Sequence, residues 1–504
     1  MRNALMRNTG TYSTIVTSGI MLLMISGCSG SGGSPDLSPS MNDDTLPEAV
    51  LTWSECEPAS LLECSTLDVP VNYSMPDGET ITIAINRLPA TGLQTIGSLV
   101  INPGGPGGSG IETLQQLSEE ALIPEKIRNS YDIVGFDPRG VGASTPVDCD
   151  EFETEDINEY PRNAEDINEV LMQRTAVANL CSEKYGSYLT QLGSLNVVRD
   201  MESMRKALGD QQLNFLGYSY GTRLAALYLQ TYPAHSGRLI LDASMSPIPE
   251  IAVISEGTLE SMQDNLTRML SYCVLSKPDC NSTELETMLT TRINALQASD
   301  DPVAAQELDV LGLLVIFGVQ EPEFGEIAIE PISEYLISED PSILTEFTAF
   351  IEMVLGPDIL EDSGSETIQS AVMCADDAIR PDVDYLTALL ARFNATSDLF
   401  AETMIAQASL CAGWPEAVEP LSPIATDTAP MSLVIGGTTD ALTPDIWGQQ
   451  MTQSIGGTYL ESQHLGHTVL FQDRSTCADN IATSFLVDGV LPETTVCPLE
   501  DESI

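Results

Sequence analysis

The chain has 504 residues, with 20 Lys and Arg against 74 Asp and Glu, for a formal charge of −54. A field of that sign repels phosphate backbones and anionic headgroups, which excludes nucleic acid and charged lipid surfaces as partners. The length exceeds what one hydrophobic core usually organises, so a core with an inserted or appended domain is the expectation.

At the N-terminus, Arg2 and Arg7 precede an apolar stretch centred on Ile20 to Ile25, which runs into Ile25-Ser26-Gly27-Cys28. A positive flank, an apolar heart and small residues before a cysteine read as an export signal. The ending resembles a bacterial lipobox, in which Cys28 is lipidated and becomes the first residue of the mature chain. Residues 1–28 are therefore expected to be a lipoprotein signal peptide. Residues 29–50, rich in Gly, Ser and Pro at their start, are expected to be a flexible tether. The implied location is the bacterial cell envelope, exported and lipid-anchored. The alternative is an ordinary cleaved signal with Cys28 incidental. No other stretch reads as apolar enough, for long enough, to span a bilayer.

Setting Cys28 aside from the eleven cysteines leaves an even number in an exported chain, which points to disulfides. Pairing neighbours gives Cys56–Cys64, Cys149–Cys181, Cys273–Cys280, Cys374–Cys411 and Cys477–Cys497. There is no C-x-x-C, and three histidines are too few for an ordinary Cys/His zinc site, so no metal is expected.

Past the tether, Ile81 to Leu88 alternates as a strand does, and Gly97 to Asn102 and Tyr131 to Phe136 are short apolar runs of strand formers. A helical pattern from Ile111 to Leu122 separates the last two. Val197, Met201, Met204 and Leu208 recur at helical spacing before Gly209, a helix stop. Leu213 to Tyr218, Arg238 to Leu241, Met431 to Ile435 and Thr458 to Leu460 complete a set of short strands alternating with helices. That pattern predicts a parallel sheet covered on both faces. Between about Ser246 and Pro423 the strand signals fade and amphipathic helices such as Met262 to Val274 and Glu284 to Leu296 take over. The organisation expected is a core over 51–245 and 425–504, interrupted by a helical cap over 246–424.

The chemistry centres on Gly217-Tyr218-Ser219-Tyr220-Gly221, where a strand turns sharply into a helix. The glycines let strand and helix approach, Ser219 sits at a strained apex, and the helix N-terminus faces any oxyanion formed there. A serine needs a base, and the base an orienting carboxylate. His235 precedes a strand and so belongs at the wrong end of the sheet, while His464 and His467 follow a late strand. Gly466 gives the chain freedom beside His467, which is preferred over His464. Asp440, after a buried strand and a glycine pair, is the preferred acid, with Asp242 and Asp445 as alternatives. The order Ser219, Asp440, His467 is that of the α/β-hydrolase fold. Oxyanion donors are expected from the backbone of Tyr220 and of Gly105 in the loop Pro103-Gly104-Gly105-Pro106-Gly107. That loop lacks the G-K-[ST] ending of a phosphate cradle.

Asn102 to Gly110, Phe136-Asp137-Pro138-Arg139-Gly140-Val141-Gly142, Gly217 to Thr222, and Gly436 to Pro444 with Gly466-His467 together resemble the exported tripeptidyl aminopeptidase group. That group belongs to the prolyl-aminopeptidase-type α/β hydrolases. The likeness extends in order from about residue 50 to 498. It implies a serine peptidase acting on free peptide N-termini, releasing tripeptides, shorter peptides or single residues, with no cofactor. Leu465 and Ala441 depart from the group's usual glycine and proline, which bears on substrate preference. An exopeptidase must also hold the substrate ammonium with a carboxylate from the cap. Asp376, braced by Cys374, is the first choice, ahead of Asp377, Glu321, Glu323 and Glu326. An esterase on small acyl esters would share fold and triad, and a non-catalytic cell-surface binding protein is the reading from a different class. Oligomeric state is not legible.

Overall fold

The computed structural model describes residues 50–500, apart from 59, 150–159, 278, 300, 356–365 and 427–430. The expected signal peptide, Cys28 and nearly all of the tether lie outside the described residues. The first half of the chain runs β1 (Ser54–Glu55), β2 (Glu63–Pro70), β3 (Thr80–Leu88), β4 (Gly97–Asn102), α1 (Gly110–Glu119), α2 (Glu125–Ser130), β5 (Tyr131–Phe136), α3 (Ala164–Tyr185), α4 (Ser194–Leu208), β6 (Leu213–Tyr218), α5 (Tyr220–Thr231) and β7 (Ser236–Asp242). Helices then follow one another: α6 (Ile251–Ser271), α7 (Cys273–Ser276), α8 (Ser282–Gln297), α9 (Pro302–Gln320), α10 (Pro322–Ser338), α11 (Ser342–Leu355), α12 (Glu366–Asp376), α13 (Val383–Phe393) and α14 (Ala401–Ala408). The sheet resumes with β8 (Ser432–Gly437), α15 (Asp445–Ile455), β9 (Thr458–Ser462), α16 (Thr476–Asp488) and β10 (Val496–Cys497).

Among the described residues, ten strands form one sheet in the order β1-β2-β3-β5-β4-β6-β7-β8-β9-β10. The pairs from β1 to β5 through β2 and β3 are antiparallel, and every pair from β5 to β10 is parallel. The parallel strands are near-continuous apolar runs because helices cover both faces: Leu99, Val100 and Ile101 of β4 and Leu239, Ile240 and Leu241 of β7 are all buried. The chain leaves β4 for β5 on one side and returns to β6 on the other. That reversal opens a crevice at the carboxyl ends of β4 and β6, where open α/β sheets place their sites.

A second apolar core lies within the helical layer, built from residues such as Leu259, Leu266, Leu314, Ile332, Leu386 and Ile405. Ile167 and Leu171 of α3 pack into this core. The cap expected to occupy 246–424 therefore draws on a helix from before the nucleophile strand. That helix was not foreseen because its apolar positions are sparse: only Ile167, Val170, Ala178 and Cys181 are buried along its 22 residues. α9 also corrects the expectation that no stretch beyond the leader has membrane-spanning character, since Val303–Gln320 meets the length and composition of a span. Leu311, Leu314, Val315 and Val319 are buried in the cap core, so one face of α9 packs there, although only 33% of that window is buried. All five neighbour-paired disulfides are present.

Candidate active site

Ser219 lies between β6 and α5 with φ 52° and ψ −122°, a left-handed conformation that a non-glycine residue adopts only when its surroundings force it. The forcing is visible. A methyl group on Gly221 would stand 2.7 Å from the Asn102 carbonyl oxygen, and one on Gly217 would collide with the Gly221 carbonyl. The Ser219 N–H is held by the Asp242 carbonyl at 2.9 Å, which pins the elbow to the neighbouring strand end.

Across the crevice, the loop after β4 comes up against the elbow. A methyl on Gly104 (φ 100°) would lie 2.6 Å from the Tyr218 carbonyl oxygen and 2.9 Å from the Tyr220 nitrogen, so only glycine admits this approach. The Gly104 N–H is satisfied by Asn102 Oδ1 at 3.1 Å. The next residue is Gly105, and its loop is braced from β5. Asp137 accepts from Ser109 Oγ at 2.5 Å and from the Ala143 N–H at 2.9 Å. Arg139 is fully buried and clamps Asp200 through Nε at 2.7 Å and Nη2 at 2.6 Å, while donating to the Val71, Gln191 and Pro70 carbonyls. The Asp137-to-Gly142 motif is thus a scaffold for the glycine-rich loop after β4. From above, Ile368 of α12 lies against Gly107 and Gly140, so the cap reaches this loop.

Asp440 is buried in the turn after β8. Its Oδ1 accepts the Leu442 and Thr443 N–H groups, each at 2.9 Å, and its Oδ2 accepts Thr443 Oγ1 at 2.6 Å. His467 Nδ1 stands 2.8 Å from the same Oδ2. Burial alone would raise the Asp440 pKa, but the His467 charge and hydrogen bond, with the Thr443 donors, carry it below the ordinary carboxylate value. Burial alone would lower His467, and the Asp440 charge and hydrogen bond, aided by Asp242 and Glu321, outweigh it and raise it. An ionised Asp440 requires the proton on Nδ1, which leaves the Nε2 lone pair free to accept one.

The other candidates fall elsewhere. His464 is buried with its ring against Gly437, and burial pushes its pKa down to about 4, so it is a neutral core residue. His235 sits before β7, at the amino end of the sheet, 3.1 Å from Glu202. Asp445 starts α15 and is engaged by Gln449 and Tyr459. Asp242 is not opposite the histidine ring nitrogen; its carboxylate accepts the Val469 and Leu470 N–H groups at 3.0 and 2.8 Å.

Asp376 corrects a sequence-based expectation. It is 1% exposed, and both oxygens accept from Ser194, at 2.7 Å from its N–H and at 2.5 Å from its Oγ. Ser194 begins α4, whose first N–H groups have no helical partner, so the carboxylate caps that helix. Burial pushes the Asp376 pKa up to about 6 against the lowering effect of buried Arg223 on α5. Another acid of the helical layer approaches the His467 loop. Glu321, which ends the α9–α10 turn, is the one that reaches the base loop. A methyl on Gly466 would lie 2.7 Å from Glu321 Oε2, and Arg474 pairs with that oxygen at 3.3 Å. Burial is the main cause of its raised pKa, moderated by Arg474 and His467.

Sequence reasoning missed Arg474 and the α6 residues Ser261 and Asn265. Arg474 donates to the His467 carbonyl at 2.8 Å, and nothing in its local pattern signals this. Asn265 donates to the Thr439 carbonyl at 2.7 Å, and Ser261 to that of Asp440 at 2.7 Å. Asn265 could have been noticed as a polar residue on the apolar face carrying Met262, Leu266 and Met269.

Fold and site together define a serine hydrolase: a strained serine at a strand–helix elbow, a buried acid–histidine pair and a glycine-rich loop at the carboxyl edge of one parallel sheet. Family models agree, one described as alpha/beta hydrolase fold over residues 97–277 and one described as TAP-like protein over residues 397–497. The chain is 30% identical over 460 residues to the serine protease Hip1 of Mycobacterium tuberculosis, covering 85% of this chain and 86% of that one. It is 34% identical over 209 residues to a tripeptidyl aminopeptidase of Streptomyces lividans, covering 40% and 39%. A carboxylesterase B of Mycobacterium tuberculosis is 28% identical over 496 residues, covering 92% and 91%. The chain belongs to the TAP-like α/β hydrolases.

Proposed function

We propose that the protein is a serine exopeptidase that removes tripeptides, shorter peptides or single residues from free peptide N-termini. The observation that carries this reading is Glu321, a cap carboxylate set against Gly466 directly beside His467. A cleavage site measured from an ammonium needs a fixed negative charge near the triad, and Glu321 supplies one where Asp376 cannot. In the reaction, Ser219 Oγ attacks the scissile carbonyl as His467 Nε2 takes its proton. Asp440 Oδ2 holds Nδ1–H and stabilises the imidazolium. The Tyr220 and Gly105 N–H groups receive the oxyanion. His467 then returns its proton to the leaving amine, and activates water to release the acyl group from Ser219. Five disulfides fit an oxidising, extracytoplasmic setting. Attachment to the envelope through lipid on Cys28 completes the reading.

The test is a panel of aminoacyl, dipeptidyl and tripeptidyl chromogenic substrates beside their acetylated forms and short-chain esters. Free-amine peptides should be the best substrates, and Glu321→Gln should raise their KM about tenfold or more while sparing a neutral ester. The carboxylesterase relative favours a second reading. Esters turned over better than every free-amine peptide, with no response to Glu321→Gln, would establish it.

A further inference from the structure

Asp242 ends β7 and is 1% exposed, yet it makes contacts in two directions. Its main-chain carbonyl holds the Ser219 N–H at 2.9 Å, and its Oδ2 holds the Val469 and Leu470 N–H groups at 3.0 and 2.8 Å. The loop it grips is strained, since Thr468 and Phe471 both take positive φ, at 60° and 58°. Such a loop keeps its shape only when its surroundings over-determine it. Tyr218 adds one more bond, from its hydroxyl to the Leu470 carbonyl at 3.1 Å. One residue therefore touches both the nucleophile elbow and the chain just after His467.

We infer that Asp242 is the positioning residue of the base loop, setting the separation of Ser219 from His467 through its carbonyl and its carboxylate at once. The inference rests on the reading of His467 as base. A merely structural acid would support the fold without acting on the histidine, whereas Asp242 is also close enough to add to its charge environment. The ionisable groups acting on His467 are Asp440 from the β8 turn, Asp242 from β7 and Glu321 from the cap, with His464 nearby on its own loop. Those acting on Asp242 are His467 and Asp440, with the Tyr218 hydroxyl of β6 also in its field. Burial pushes the Asp242 carboxyl up to about 6, while the Val469 and Leu470 bonds and His467 limit the rise. At neutral pH it is an anion, and an anion there holds the His467 proton more tightly.

Two variants separate position from charge. Both gripping bonds end on Oδ2, so the single amide oxygen of Asp242→Asn can keep them while the charge is lost. Asp242→Ala loses both. With a tripeptidyl chromogenic substrate, Asp242→Ala should lower kcat about a hundredfold with KM within twofold, since a displaced base misses its alignment. Asp242→Asn should lose far less, and its acidic limb of kcat/KM should move to lower pH because His467 is then easier to deprotonate. An unmoved limb in Asp242→Asn overturns the inference, whatever Asp242→Ala does, and so does a wild-type kcat in a folded Asp242→Ala. Should Asp242→Ala fail to fold, Asp242→Asn decides alone. His467→Ala is run alongside: activity in that variant sinks the base assignment, a separate failure.

Discussion

Asp440 and His467 meet across 2.8 Å, but the two loops that carry them are held from opposite sides. The acid turn hangs from the cap. Ser261 and Asn265 of α6 donate to the Asp440 and Thr439 carbonyls at 2.7 Å each, and Thr258 to that of Leu442 at 3.4 Å. The base loop is fastened to the core by Asp242 and Tyr218, and Arg474 ties its carbonyls from within. The cap's share in that loop is the Glu321–Arg474 pair, which is partly exposed and so worth little on its own. The difference shows that the cap does more than screen the crevice. Its first helix is part of the frame that holds Asp440, while the loop of His467 is held from the core.

The largest effects should come from the residues the two loops serve. Ser219→Ala and His467→Ala should each cut kcat by about 10⁴-fold or more, because triad members act as a unit. His464→Ala should keep most of its kcat and lose stability instead, by ~2–4 kcal/mol for an emptied buried site. Steady-state kinetics with a thermal melt check all three. A dead His464→Ala beside a live His467→Ala would reverse the base assignment.

A smaller effect should show whether the cap truly holds the acid. Asn265→Ala strips the side-chain donor from the Thr439 and Val319 carbonyls, at about 1–3 kcal/mol in stability. It should also lower kcat about tenfold with KM unchanged, since Asp440 loses its alignment and substrate contacts are untouched. A rise in KM alone would mean that α6 serves substrate binding.

The smallest effect concerns pH, where the two carboxylates near His467 behave oppositely. Asp440 is lowered, so its contribution to stability is present above its unfolded pKa and fades as pH falls through its folded one. Asp242 and Asp376 are raised to about 6, so the folded state binds more protons than the unfolded one and their burden eases as pH falls from 7. His467 is raised too, and its contribution is full below its unfolded pKa and lost as pH rises through its folded value. His464, lowered to about 4, works against these and costs stability as pH falls below its unfolded pKa. The expected outcome is a Tm higher near pH 5.5 than near pH 7.5, with a decline below about pH 4, where carboxylates such as Asp440 protonate. Calorimetry across that range would contradict the assignment by finding a steady fall from pH 7.5 to 5.5.

Much of this was legible because buried parallel strands leave a strong local signature. Gly97 to Asn102, Tyr131 to Phe136 and Leu213 to Tyr218 have no polar face to blur them, and each strand occupies those residues. The elbow was legible for the same reason: glycine, serine and strand formers are all local requirements. What stayed hidden depends on partners distant in sequence. Asp376 looked like a free lid acid because nothing near it reveals that Ser194, far upstream, consumes its carboxylate. Glu63–Pro70 was passed over because a strand near the sheet's edge alternates weakly, and Asp68 and Pro70 weaken it further. α3 was missed because part of its packing is against cap helices that lie far downstream in the chain.

The parallel pairing of β7 with β8 sets Leu239 beside Ser432 and Asp242 beside Ile435, with the whole run from α6 to α14 between them in the chain. Among the described residues the disulfides span at most 37 positions, and none links the part before the cap to the part after it. A growing chain can therefore complete the serine elbow early, but β7 stays an open edge until the last strands arrive. Asp440 and His467, the acid and base of the proposed reaction, come only with that closing segment. On that reading an unfinished or C-terminally clipped molecule carries the Ser219 hydroxyl without its base. Synthesis order would then act as a safety catch, with Ser219 lacking its proposed partners until β8 and the segment after it are in place.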